Sequence, residues 1–287
     1  MLIKGFFCPC VGRNVAPDHY SAGECKNPPM PIARILAILR KEENDTVHHG
    51  IGMSPSRMTK CFRKSAIEAV IPAIYDIREF NSLAGGTAEH EFMERHTPEG
   101  LFAEVEFPKE GKPMPTLFAG TEFEITMRGR CDVLSMGALK LEDYKITGEW
   151  SQKFRWERRT ADPEWNVQAS LYKILAKKCE GIDIQTASGW SGAMVGKKSK
   201  APAWFQIPIT FMSEKEILQV RPLDGDYTVG DTIREYKLFV KRIAEGMSPE
   251  DAVKLIPLYG KTTKRFSECD YCAVSGACGE LAGETQW

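Results

Sequence analysis

The chain has 287 residues, 43% of them hydrophobic and 27% charged, with a formal net charge of −1. That length can bury a sizeable core without disulfide support. Near-neutrality excludes a global basic field, so any nucleic-acid contact has to come from a local patch of Lys and Arg. No apolar run reaches the roughly 20 residues of a membrane helix. Residues 1–7 lack the long apolar core and small-residue cleavage site of a signal peptide. The expected location is therefore the cytoplasm, where clustered cysteines favour metal over disulfides. Nine cysteines are present. Cys8, Cys10 and Cys25 group near the start, Cys269, Cys272 and Cys278 near the end, and Cys61, Cys131 and Cys179 stand alone.

In chain order, residues 1–50 read as a cysteine-containing appendage, 51–260 as the core, and 261–287 as a tail. The appendage is rich in Cys, Pro and Gly up to Pro31 and then predicts a short apolar helix over 32–40. Ser54-Pro55-Ser56 reads as a helix start, with a Ser cap and Pro in the first turn. That helix should run through Met58, Cys61, Phe62, Ala66 and Ile67. Gly85-Gly86-Thr87 precedes a second helix carrying His90, Phe92 and Met93. Strands are predicted over 101–107, 123–136 and 139–146, the last two joined at Met136-Gly137. Asp162-Pro163 starts a helix whose apolar face is Val167, Leu171, Ile174 and Leu175. Strands return over 186–195 and 205–211, and helices follow over 228–244 and 248–255. This order predicts an α/β fold, a mixed sheet core flanked by helices.

The most informative stretch is Gly129-Arg130-Cys131-Asp132 followed by Leu141-Glu142-Asp143-Tyr144-Lys145. On a strand, Asp143 and Lys145 point one way while Glu142 and Tyr144 point the other. A neighbouring strand carrying Asp132 would bring a second carboxylate beside them. Paired carboxylates suit Mg²⁺ or Mn²⁺, which activates water and neutralises charge on a phosphate in transfer. A lysine alongside orients the water or stabilises the developing charge. Alone, Asp-x-Lys is a surface pair on a solvated strand. Here it has company: Gly86-x-x-x-His90 lies upstream, and Gln168 and Tyr172 lie downstream, four apart on one helix face.

In this combination the sequence resembles the RecB-like branch of the PD-(D/E)XK nucleases, and most closely the CRISPR-associated iron–sulfur exonucleases and their phage relatives. The resemblance covers about residues 54–280 and implies a restriction-endonuclease-like core. It also implies that His90, Asp132 and Asp143 bind the catalytic metal, with the Tyr144 carbonyl as a further ligand. Lys145 would assist the water, and Gln168 and Tyr172 would position it and the scissile phosphate. Asp143 stands where those exonucleases more often carry Glu; adjacent Glu142 offers another register, which strand alternation disfavours. Glu106, on a preceding strand, is a further acid for the site or a structural support.

Cys269-x2-Cys272-x5-Cys278 sits in a short Gly-containing tail, too polar for an apolar cluster, and a metal there needs a fourth ligand. The resemblance offers Cys61, giving a [4Fe-4S] cluster on Cys61, Cys269, Cys272 and Cys278 that ties the ends of the core together. Zinc on the same four thiolates is the rival. Cys8-Pro9-Cys10 with His19 and Cys25 is a second candidate metal site, of zinc-knuckle type, outside the family likeness.

Between Lys145 and Gln168, Arg155, Trp156 and Arg158 belong to a segment of interleaved aromatics and cations, read as a loop that could hold single-stranded DNA. Lys197 and Lys198 form a second basic loop. These readings predict a Mg²⁺- or Mn²⁺-dependent DNA exonuclease acting on ends, single-stranded ones preferred. The resemblance implies work in phage recombination or replication, or in CRISPR spacer acquisition, beside recombination or spacer-integration proteins and away from membranes. Two alternatives stay open: a catalytically silent DNA-binding or assembly module, and a structure-specific endonuclease.

Overall fold

The alternating central segments close into one mixed sheet, and the order of its strands decides which side chains meet. The computed structural model describes residues 3–8, 10–16, 19, 22, 24–25, 52–71, 73–76, 92, 94–146, 149–193, 202–222, 226–258, 272 and 274–282. Strands β1 (Ile3–Cys8) and β2 (Arg13–Val15) form a hairpin; helix α1 (Phe62–Val70) then leads to β3 (Ala73–Asp76), which pairs in parallel with β1. Next come β4 (Leu101–Phe107), the short pair β5 (Thr116–Leu117) and β6 (Ile125–Thr126), β7 (Gly129–Ser135) and β8 (Lys140–Ile146). Helices α2 (Glu149–Arg158) and α3 (Pro163–Glu180) precede β9 (Thr186–Gly192) and β10 (Trp204–Ile209). The chain continues through α4 (Glu214–Gln219), α5 (Val229–Ala244), α6 (Pro249–Lys254) and α7 (Ser275–Ala282).

The main sheet has the order β10-β9-β8-β7-β4. Its pairs are antiparallel except β8 with β9. A parallel step needs a crossover, and α2 with α3 supplies it. Val167, Leu171 and Leu175 of α3 are fully buried, with Ile174 packed at the core's edge, so the predicted apolar face meets the sheet. The helix starts follow local chemistry. Thr228 and Ser213 each close a capping box, with Asp231 and Glu216 respectively. A second layer forms where Phe62 of α1 meets the rings of Tyr236 and Phe239 edge-on at 5.8 and 5.7 Å.

The expectation of a mixed α/β sheet flanked by helices is borne out. Two local expectations are corrected. The helix expected from Ser54 is instead turn over 55–59, and the helix begins only after Cys61, which is extended at φ −51° and ψ 117°. The turn closes on the Ser54 carbonyl, which accepts from the Arg57 and Met58 amides, and the Thr59 carbonyl accepts from the buried Tyr227 hydroxyl at 3.4 Å, a tertiary contact in place of a helical one. The segment expected as a loop after Lys145 is helix α2. Its Gln152 is fully buried and donates to the carbonyls of Ser191, Pro202 and Ala203, which pins the helix across the ends of β9 and β10. Among the described residues, no helix is long and apolar enough to cross a membrane.

One close approach on this sheet is decisive. Gly189 pairs with Asp143 across β8 and β9, and a Cβ on it would stand 2.3 Å from the Trp165 ring of α3. Gly189→Ala should therefore push α3 off the sheet and destabilise the protein by roughly 1–3 kcal/mol. Gly137→Ala, whose Cβ meets open space, should stay within about 0.5 kcal/mol of wild type. Thermal unfolding of both variants checks this.

Candidate active site

The antiparallel ladder between β7 and β8 runs through Ser135↔Lys140, Leu134↔Leu141 and Val133↔Glu142. One step further, Asp132 comes level with Asp143. There the Asp132 side chain takes over from the backbone, its Oδ2 accepting from the Tyr144 amide at 2.7 Å. On the other side, β4 pairs Ala103 with Val133 and Val105 with Cys131 but skips the pair between them. The residue skipped is Glu104, at φ 51°, a conformation that costs an L-residue energy and is often found beside functional sites. The sheet is thus interrupted around Asp132 on both edges.

Asp143 is 3% exposed. Its Oδ1 accepts from Lys145 Nζ at 3.0 Å and from Gln168 Nε2 at 3.2 Å. Its Oδ2 lies 2.8 Å from Lys145 Nζ, yet is buried with no hydrogen-bond donor in suitable geometry among the described residues. Gln168 also donates to the Tyr172 hydroxyl at 3.2 Å. Both are buried on α3 and reach the acidic pair from one helical face. Gly129, at the start of β7, makes room for Tyr172, because a Cβ there would lie 2.8 Å from its ring and equally close to Pro55. Thus Asp132, Asp143, Lys145, Gln168 and Tyr172, from two strands and one helix, meet beside the middle of β7 and β8.

The charges follow from this crowding. Burial works against the Lys145 cation, but Asp143 and Asp132 outweigh it and raise its pKa. Lys145 therefore stays charged at neutral pH. Burial first, and then Asp143 and Asp132, push the Tyr172 phenol well above its usual range, so it keeps its proton. The Cys131 thiol is driven up to about 12, chiefly by burial and then by Asp132; it is a neutral core side chain.

Glu142 lies across the strand from Asp143 and accepts from the Tyr144 hydroxyl at 3.0 Å and Trp190 Nε1 at 3.2 Å, with Lys140 also bound. That network occupies the acid that offered the other register. Glu106 is exposed on β4, whereas Glu104 is the acid of that strand beside Asp132, tied to Arg130 at 2.7 Å. Sequence reasoning passed over Glu104 because strand alternation carries no sign of a left-handed residue. It passed over Gln152 as well, since a glutamine among aromatics and cations looks solvent-facing.

Helix α2 presents its cations differently from an open loop. Arg155 and Arg158 grip Asp162 at 2.8 and 2.6 Å, Arg159 lies 3.2 Å over the Trp156 ring, and Trp156 packs edge-on against Phe205. Arg155 is also near enough to Lys145 to act on its charge. His90, Lys197 and Lys198 lie outside the described residues.

Two cysteine groups stand away from the acidic pair. Helix α7, with Cys278, packs against α1, α6 and β3. There Arg63, two residues after Cys61 and 2% exposed, donates from Nε to Cys278 Sγ at 3.2 Å. Cys272 is also partly buried against the core; Cys269 lies outside the described residues. At the other end, Cys8, Cys10, His19 and Cys25 each offer a ligand atom within 4.8 Å of the others, a Cys₃His cluster able to bind a metal.

No protein-family model and no curated protein matches the chain. Among solved structures, that of SSO0001 superposes with a TM-score of 0.41 at 14% identity, covering 84% of this chain and 93% of that one. An alkaline exonuclease (LHK-Exo) from Laribacter hongkongensis superposes with a TM-score of 0.37 at 11% identity, covering 72% of this chain and all of that one.

Proposed function

We propose that this chain is a divalent-metal-dependent DNA nuclease, working as an exonuclease on DNA ends with single strands preferred. One observation carries the reading: the buried carboxylate of Asp143 lies level with Asp132 on the neighbouring strand, and Lys145, Gln168 and Tyr172 gather around the pair. Two acids so close repel each other unless cations compensate them; Lys145 supplies one positive charge and a divalent ion would supply the rest. The two acids offer oxygen donors, which fit Mg²⁺ or Mn²⁺ better than a soft metal. Asp132 and Asp143 would hold the ion, with His90 and the Tyr144 carbonyl as further ligands. When bound, the ion lowers the pKa of water and neutralises phosphate charge.

The chain's own groups divide the rest of the work. In hydrolysis, water oxygen bonds to phosphorus and gives up a proton to solvent, the bond from phosphorus to the leaving sugar oxygen breaks, and that oxygen takes up a proton from solvent. Lys145, already protonated, is no base for the water; it donates from Nζ and stabilises negative charge as it grows on the phosphate. Gln168 holds Asp143 through one amide nitrogen and Tyr172 through the same group, so the helix fixes the carboxylate's direction. Tyr172, kept neutral, has a proton to donate towards a phosphate oxygen. Arg155, beside Lys145, extends the positive field towards the DNA backbone, and Trp156, Arg158, Lys197 and Lys198 are the further DNA contacts of this reading. The tail cysteines with Cys61 would carry a [4Fe-4S] cluster; the docking of α7 beside α1 supports that placement.

The test is digestion of end-labelled linear and circular single-stranded DNA with Mn²⁺, with chelator as control. Loss of linear substrate with the circle intact is the expected result. A nicked circle would replace the exonuclease with an endonuclease, and metal-loaded protein that cuts neither would leave a silent DNA-binding module.

A further inference from the structure

We propose that Cys8, Cys10, His19 and Cys25 form a structural zinc site that ties the segment after the N-terminal hairpin back onto that hairpin. The inference is independent of the nuclease reading. The Sγ atoms lie 3.0 Å apart for Cys8 and Cys10, 2.8 Å for Cys10 and Cys25, and 3.6 Å for Cys8 and Cys25. Tetrahedral Zn²⁺ with bonds of about 2.3 Å to sulfur sets thiolates about 3.8 Å apart, so Cys8 and Cys25 already stand near that spacing while Cys10 would move out by about 1 Å to admit one ion. A four-iron cluster attaches each thiolate to a different iron and demands a wider set.

The fourth donor arrives ready-oriented. His19 is 6% exposed, and its Nδ1 meets Glu24 Oε2 at 3.0 Å. A carboxylate on one ring nitrogen fixes the tautomer and turns the other nitrogen towards the ion, as it does for most metal-bound histidines. Three sulfurs and one nitrogen, with Cys8 and Cys25 buried, make a closed four-coordinate set of the structural type. A disulfide would use two of the sulfurs and leave the third, with the paired imidazole, clustered beside it.

The placement shows what the zinc does. Cys8 ends β1 and Cys10 opens the turn into β2, while His19 and Cys25 come from the segment that follows. One ion would therefore close a loop of 17 residues from Cys8 to Cys25. It would also hold rigid the strand β1, which pairs in parallel with β3. A three-residue β2 and a two-stranded hairpin have little stability of their own. Binding energy at such sites is folding energy.

The experiment uses the full chain expressed with zinc and iron supplied. Metal analysis should find about one zinc in wild type, lost in Cys10→Ser and Cys25→Ser, with the iron content of all three the same. Zinc-edge X-ray absorption on wild type should show three sulfurs and one nitrogen, a readout that does not depend on the variants folding. Hydrogen exchange at β1 should rise at least tenfold in Cys25→Ser. Wild type without zinc, a four-sulfur zinc shell, or an oxidised Cys10–Cys25 pair in wild type would each overturn the proposal.

Discussion

Asp143→Asn and Lys145→Ala should each lower DNA cleavage by at least about 10²–10³-fold, the scale expected when a preorganised charge facing the reacting phosphate is removed. Asparagine keeps the shape of the side chain and can still accept from Gln168, so the fold should survive. What disappears is the charge that draws the ion. In Lys145→Ala the carboxylates remain, so Mn²⁺ binding should persist while the rate falls. Thermal unfolding, calorimetric Mn²⁺ titration and single-turnover cleavage separate these outcomes. Variants that cleave like wild type would remove this cluster from the chemistry.

Arg63→Met should give the largest loss of stability outside the active site. The guanidinium is buried and, besides Cys278, its Nη1 serves the carbonyls of Val253, Lys254 and Ile256. They lie at and just beyond the end of α6, where the Val253 carbonyl also accepts from the Ile256 amide, and buried carbonyls left without donors there are costly. Methionine fills similar space but donates nothing, so the loss should be on the order of 3 kcal/mol. At roughly 2–4 °C per kcal/mol for a chain this large, Tm should fall by about 10 °C. The same arginine joins α1 to the tail, so the variant should also lose part of any iron it carries. An unchanged Tm would show that water can replace the guanidinium at this helix end.

How far these features could be read beforehand depends on the range of the forces behind them. Period-two alternation over 101–107 and 140–146 and the Asp162-Pro163 start of α3 were legible because strands and helix starts are set within a few residues. The same alternation distinguished Asp143 from Glu142 before any neighbour was known. By itself, then, the amino-acid order determined the strands of the main sheet, helices α3, α5 and α6, the face shared by Asp143 and Lys145, and the i, i+4 pairing of Gln168 with Tyr172, whereas β1, β2, β3 and β5 left no local signal that was read.

Only tertiary structure decided the rest. The helix expected at Ser54 is turn, with the Thr59 carbonyl engaged by Tyr227, 168 residues away. Segment 149–158 is helix because Gln152 finds acceptors on chain that comes some 40–50 residues later. The meeting of Asp132 with Asp143, the left-handed turn of Glu104, and the gathering of three thiols around His19 likewise depend on partners brought in by pairing and packing. Such contacts lower the energy only once the chain has folded, so no local pattern records them.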